Sequence, residues 1–207
     1  MAITYPLNFP TSFGFSTFTI GLDHAVAVAE SEFTFQSQVQ ENQGSAWEVS
    51  GSLELLNREQ SEEYNAFIAS LHGRLGTFLL SPAGSEEPRG VATGTPLVKG
   101  GSQIGKELDT DGWTPNITGI LKAGDFIQLG TGVNSTLHRV LVDVDSDGSG
   151  NATLDLAPKI RTAPSDNSAI VISNPKGLFR MSENNLPVSI SPPNRHTIRF
   201  NARQAIS

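Results

Sequence analysis

The chain has 207 residues, 37% hydrophobic and 17% charged, with 20 glycines, 12 prolines and a formal net charge of −7. That length supports one large domain or two small ones, and the composition excludes disorder and points to a turn-rich, mainly β architecture. Net acidity without any run of Lys or Arg argues against nucleic-acid binding, and the lack of cysteine excludes disulfides, thiolate nucleophiles and Cys-bearing zinc sites.

The start, "MAITYPLNFP", has no cationic region followed by an apolar core, and nowhere do about 18 apolar residues run together. A protein made in the cytosol without a membrane span is expected. Strands are predicted next, because apolar residues recur at every second position. The sets are Phe13 and Phe15 with Phe18 and Ile20, then Phe33, Phe35 and Val39, then Trp47, Val49, Leu53 and Leu55. The phase slip between Phe15 and Phe18 predicts a bulge or short break.

One helix is predicted in "NREQSEEYNAFIASLHG". Asn57 is placed as its N-cap with Gln60 three residues on, Gly73 closes it, and His72 is a cation at its C-terminal end. Tyr64, Phe67, Ile68 and Leu71 fall on one stripe that must pack against a sheet. With "RLGTFLLS" behind it, residues 45–81 read as strand, helix, strand.

Ser81 to Pro96, rich in Pro, Gly and small polar residues, reads as a linker. Short β segments follow at Gly119 to Leu129, Leu137 to Val144, Ala152 to Leu156 and Ala169 to Ser173, the spacing of a small barrel or sandwich. "NPKG" at Asn174 to Gly177 is a second boundary. In the tail, Ile198, Phe200 and Ala202 alternate with Arg199, Asn201 and Arg203, which predicts a final strand with a basic outer face that also includes Arg195.

The metal candidate is "DVDSDGSGNATL". Asp143, Asp145, Asp147 and Gly148 match the opening of a calcium loop, but Leu154 stands where a bidentate Glu is needed, and the flanks are β-patterned rather than helical. A hairpin turn is the preferred reading, with Val140, Val142 and Val144 on one face and Leu154 pointing into a core. His24, His72, His138 and His196 lack ligand spacing. No serine sits in a Gly-x-Ser-x-Gly turn, "KGGSQIGKEL" lacks the ending of a phosphate loop, and the paired acids Glu86, Glu87 and Asp109, Asp111 are expected in solvated loops. No catalytic residue, cofactor or metal is therefore predicted, and the chain is not expected to be an enzyme.

One stretch carries more than fold class. "PRGVATGTPLVKGGSQIGKELDTDGWTPNITGILKAGDFIQLG", Pro88 to Gly130, resembles a segment of small tail proteins from long-tailed bacteriophages and prophages. The likeness continues through "LDLAPKIRTAPSDNSAIVI" to "GLFRM", and "TYPLNFP", the Trp47 strand and the helix before "GRLGTFLLSP" fit as well. The Asp111-Gly-Trp-Thr-Pro and Leu121-Lys-Ala-Gly-Asp-Phe strings are its specific parts.

The resemblance implies a distal tail protein. Such a protein is a structural virion component, made in the bacterial host cytoplasm, whose ring joins the tail tube to the baseplate or tail-tip hub. It implies a β-sandwich-like ring domain with one helix, here residues 1–87 and 176–207, and an inserted small β-barrel of OB-fold or galectin-like type, residues 88–175. The implied partners are further copies of the chain, commonly in a hexamer, with the tube protein and the hub protein. The basic strand with Arg195, Arg199 and Arg203 is the candidate subunit contact. The alternative reading is a carbohydrate-binding module of the tail for host adhesion, with Trp113 stacking on sugar rings.

Overall fold

Alternating apolar residues build strands through most of this chain, and the one amphipathic run builds its α-helix. The computed structural model describes residues 3–185, 188–191 and 195–206, except for the side chains of 41, 43, 188–191 and 195–197. The Arg195 side chain of the predicted basic face thus lies outside the described residues.

In chain order the first elements are β1 (Leu7–Asn8), β2 (Phe15–Glu30), β3 (Ser37–Leu53), α1 (Arg58–Leu71) and β4 (Phe78–Leu80). A second group follows: β5 (Gly94–Val98), β6 (Gly105–Trp113), β7 (Phe126–Leu129), β8 (Thr136–Val140) and β9 (Ala152–Ile160). The chain then returns through β10 (Gly177–Met181), β11 (Val188–Ser191) and β12 (Arg195–Gln204) to the first sheet. That sheet has seven strands, ordered β1-β4-β10-β12-β3-β2 with β11 against β12, and the second has five, ordered β5-β6-β9-β8-β7.

The first sheet buries one face under α1. Gln60 donates its backbone N–H to Asn57 Oδ1 at 2.9 Å, and Asn57 N–H donates to Gln60 Oε1 at 3.2 Å, a reciprocal cap that contributes about 1 kcal/mol. The helix ends where His72 and Gly73 turn left-handed, at φ 49° and 67°. Tyr64, Phe67 and Leu71 are buried and Ile68 half-buried, as their stripe predicts. Phe67 meets Phe9 at 5.4 Å and Phe78 at 5.6 Å between ring centroids. The inward residues of β12, Ile198, Phe200 and Ala202, close the same core.

The second sheet curls until its edges meet. Residues 168–171 bridge them: Val98 N–H donates to Ser168 O at 2.9 Å, Ile170 N–H to Pro96 O at 3.0 Å, and Gln128 N–H to Val171 O at 2.8 Å. With this sixth short segment the barrel has one more than the five strands of an OB-fold. Leu108, Trp113, Ile127, Val140, Leu154, Leu156 and Ile170 fill its interior. Chain approaches and leaves the barrel side by side, where Asn174 N–H donates to Glu86 O at 2.5 Å.

Three expectations are corrected by where strands stop. Phe33 and Phe35 do not alternate into a core. They sit in the turn between β2 and β3, 94% and 78% exposed, and Val39 beside them is exposed too. Leu55 is exposed because β3 ends at Leu53. Val142 is exposed because β8 ends at Val140, so the face expected for Val140, Val142 and Val144 is broken in the middle. The predicted slip is present as a register shift between Phe15 and Thr17.

Candidate interaction surfaces

Each aspartate of the acidic stretch accepts at least one backbone N–H. Asp143 Oδ1 accepts from Ala123 N–H at 2.8 Å, and its Oδ2 meets Lys122 Nζ at 3.1 Å. Asp145 Oδ1 accepts from Gly119 N–H at 2.6 Å. Asp147 Oδ1 accepts from the N–H groups of Ser149 and Asn151, both at 2.8 Å. Asp143 and Asp145 thus face the 119–123 segment, and Asp147 its own turn at 149–151. Hydrogen bonds from Ala123 and Lys122 hold Asp143 below the usual carboxylate range, and those from Asn151 and Ser149 do the same for Asp147. Among the described residues no group of His, Asp and Glu is arranged to hold a metal ion.

These aspartates organise a longer excursion than a two-residue hairpin tip. Between β8 and β9 the chain crosses to bridge Val144 with Leu121, and it turns back only at Asp147 to Asn151. Leu154 points into the barrel core, as its phase predicts.

Trp113 is buried, and its Nε1–H donates to Thr110 Oγ1 at 2.8 Å. It presents no face to a sugar ring. Gly112 beside it has φ 77°, and a Cβ there would lie 2.2 Å from Thr95 O, so the Asp-Gly-Trp string encodes a close backbone approach. In the second specific string, Asp125 accepts from the N–H groups of Arg89 at 2.9 Å, Gly90 at 3.1 Å and Lys122 at 2.8 Å. It binds the linker to the barrel.

Sheet and barrel share a joint. Trp47 Nε1–H, from β3, donates to Leu137 O of β8 at 2.8 Å. The Arg139 guanidinium lies 5.1 Å from the Trp47 ring centre and 4.5 Å from that of Phe126. A hollow of about 370 Å³ opens beside this joint, with His138 among its lining residues. Both ring nitrogens of His138 are engaged, Nδ1 with Pro158 O at 2.8 Å and Nε2 with Thr136 Oγ1 at 3.0 Å, which leaves no free base.

On the outer face of the first sheet, Arg203 pairs with Asp23 at 2.7 Å and Glu48 at 3.5 Å within its own subunit. Arg199 is exposed on the same face. Arg180 and Arg74 join Arg203 around a groove of about 450 Å³, which the sequence alone does not reveal because the three arginines come from separate segments.

The two ends of the first sheet differ. At one end, β1 has two residues between Pro6 and Pro10, which blunt that edge. At the other, β2 has 16 residues without proline or lysine, and its outer edge pairs with no strand among the described residues. Beyond a register shift at His24/Val26 the β2–β3 ladder leaves the body of the sheet as an arm exposed on both faces. Val26, Val28 and Val39 share one face of it and are exposed.

Comparison with protein-family models finds no match to this chain, and a search of curated proteins finds none either. Among the described residues no helix is long and apolar enough to cross a membrane.

Proposed function

We propose that this protein is a non-enzymatic structural subunit of a phage tail tip, assembling with copies of itself into a ring between the tail tube and the hub. The observation that carries the reading is the 16-residue edge of β2, open among the described residues and continued into an arm with Val26, Val28 and Val39 exposed on one face. Long uncovered edges invite pairing with other chains, and a two-stranded arm is marginal in water without a partner. Assembly supplies that partner. The sequence resemblance to distal tail proteins supplies the setting, six copies as the expected number, and tube and hub proteins as the neighbours above and below.

The remaining features are compatible. A net charge of −7 suits a ring whose lumen must pass DNA without retaining it. Asp143, Asp145 and Asp147 accept backbone N–H groups, and both ring nitrogens of His138 are engaged. Native mass spectrometry of the purified full chain tests the proposal: a closed oligomer supports it, and a monomer at all concentrations opposes it.

A further inference from the structure

We infer that the tip of the β2–β3 arm docks into the arginine groove of a second copy of this chain. The inference deepens the ring reading and rests on it for closure of the assembly.

The tip has the chemistry of an anchor. Phe33 and Phe35 are almost fully exposed, and Glu30 and Glu32 flank them. Phe35 is held at φ 54°, a left-handed conformation unfavourable for a bulky residue. The turn is nonetheless closed, since Phe35 N–H donates to Ser31 O at 2.9 Å and Ser31 N–H to Gln36 O at 3.0 Å. Strain that presents two aromatic rings to water has no use within the subunit. Such strain is characteristic of binding elements.

The groove has the complementary chemistry. Three arginines, Arg74, Arg180 and Arg203, face one glutamate, Glu48, and the exposed Ile206 adds apolar lining. Arg203 is satisfied by Asp23 and Glu48, whereas Arg180 donates only to Arg74 O at 2.8 Å. Neither Arg74 nor Arg180 has a carboxylate partner among the described residues. An acidic tip bearing aromatic rings meets both needs, charge for Arg74 and Arg180 and apolar surface for Ile206.

The contact has to be intermolecular. Asp23, at the base of the arm, is bonded to Arg203 of the groove, while Phe33 lies ten residues further along the ladder, about 30 Å away at strand rise. A ladder paired from Val26↔Glu41 to Glu30↔Ser37 does not fold back on its own base. Tip and groove are different surfaces, so their union is head-to-tail, the kind that closes a ring or grows a filament.

The test uses two full-length variants, the tip variant Glu30→Arg/Glu32→Arg/Phe33→Asp and the groove variant Arg74→Glu/Arg180→Glu, studied by sedimentation velocity. All changes are at exposed positions, and circular dichroism checks that both variants keep the wild-type fold. Each alone is expected to weaken self-association by roughly thirtyfold or more, the scale of losing one interface anchor. Mixed with wild-type chain, each variant is expected to stop growth, because it retains one competent surface. A variant carrying Glu30→Arg/Glu32→Arg together with Arg74→Glu/Arg180→Glu, with Phe33 kept, restores the charge match and is expected to associate better than either single variant. Wild-type oligomers that persist unchanged in both variants overturn this docking and leave the ring reading standing; a monomeric wild type overturns both.

Discussion

Arg180 and Arg203 are direct cross-strand partners on β10 and β12, with both side chains on the outer face of the first sheet. Like charges placed opposite one another destabilise a sheet, and only Arg203 is matched by carboxylates. Arg180→Met keeps the stem and removes the charge. We expect the isolated subunit to keep its stability or gain up to about 0.5 kcal/mol in urea denaturation. A loss above about 1 kcal/mol would assign Arg180 a structural role instead.

Trp47 ties the sheet to the barrel. Trp47→Phe leaves the buried Leu137 carbonyl without its donor and weakens the stacking with Arg139. A cost of about 1–3 kcal/mol follows from an unpaired buried group. Differential scanning calorimetry is expected to show a lower and broader transition as the two cores uncouple. An unchanged transition would mean that the joint is held elsewhere.

His138 makes stability depend on pH. Burial, with help from Arg161, lowers its pKa from 6.5 to about 4. Because the folded state resists protonation, the unfolded chain binds more protons between those values. Stability is therefore full above pH 6.5 and falls as the pH drops toward 4, by at most about 3 kcal/mol. Asp143 and Asp147, whose pKa values are lowered, add a loss that begins only below their ordinary 3.8. In His138→Gln the slope between pH 6.5 and 4 should flatten while the lower limb remains; an unchanged upper slope would show that another group titrates there.

Calcium should leave the melting temperature unchanged, because Asp143 and Asp145 are spent on amides of the 119–123 segment and Asp147 on those of its own turn. Asp147→Ala, which strips the acceptor from Ser149 and Asn151, should lower it without calcium present. A calcium-dependent rise that Asp145→Ala abolishes would restore the metal reading.

Local chemistry makes several elements legible in the sequence. The Asn57–Gln60 cap, the Tyr64 to Leu71 stripe and the inward Leu154 each follow from spacing and side-chain type. Alternation in Phe33, Phe35 and Val39 marks no buried face, because Phe33 and Phe35 sit in the turn between β2 and β3 and Val39 lies on the arm. On a free arm both faces are wet. Arg74 and Arg180 had no signal at all, since β10 meets β12 only through the tertiary register Arg180↔Arg203. The alternation in the last strand shows Arg199 and Arg203 as an outer face, but the carboxylates that neutralise Arg203, Asp23 and Glu48, arrive from β2 and β3. For Trp113 the residue type suggested a sugar platform, and packing against the barrel interior makes it core.

Negative-stain imaging of the purified full chain tests the central proposal most directly. We expect closed rings with a central hole, six-fold in class averages. Dispersed single particles across the accessible concentration range, without rings or short head-to-tail oligomers, would contradict it.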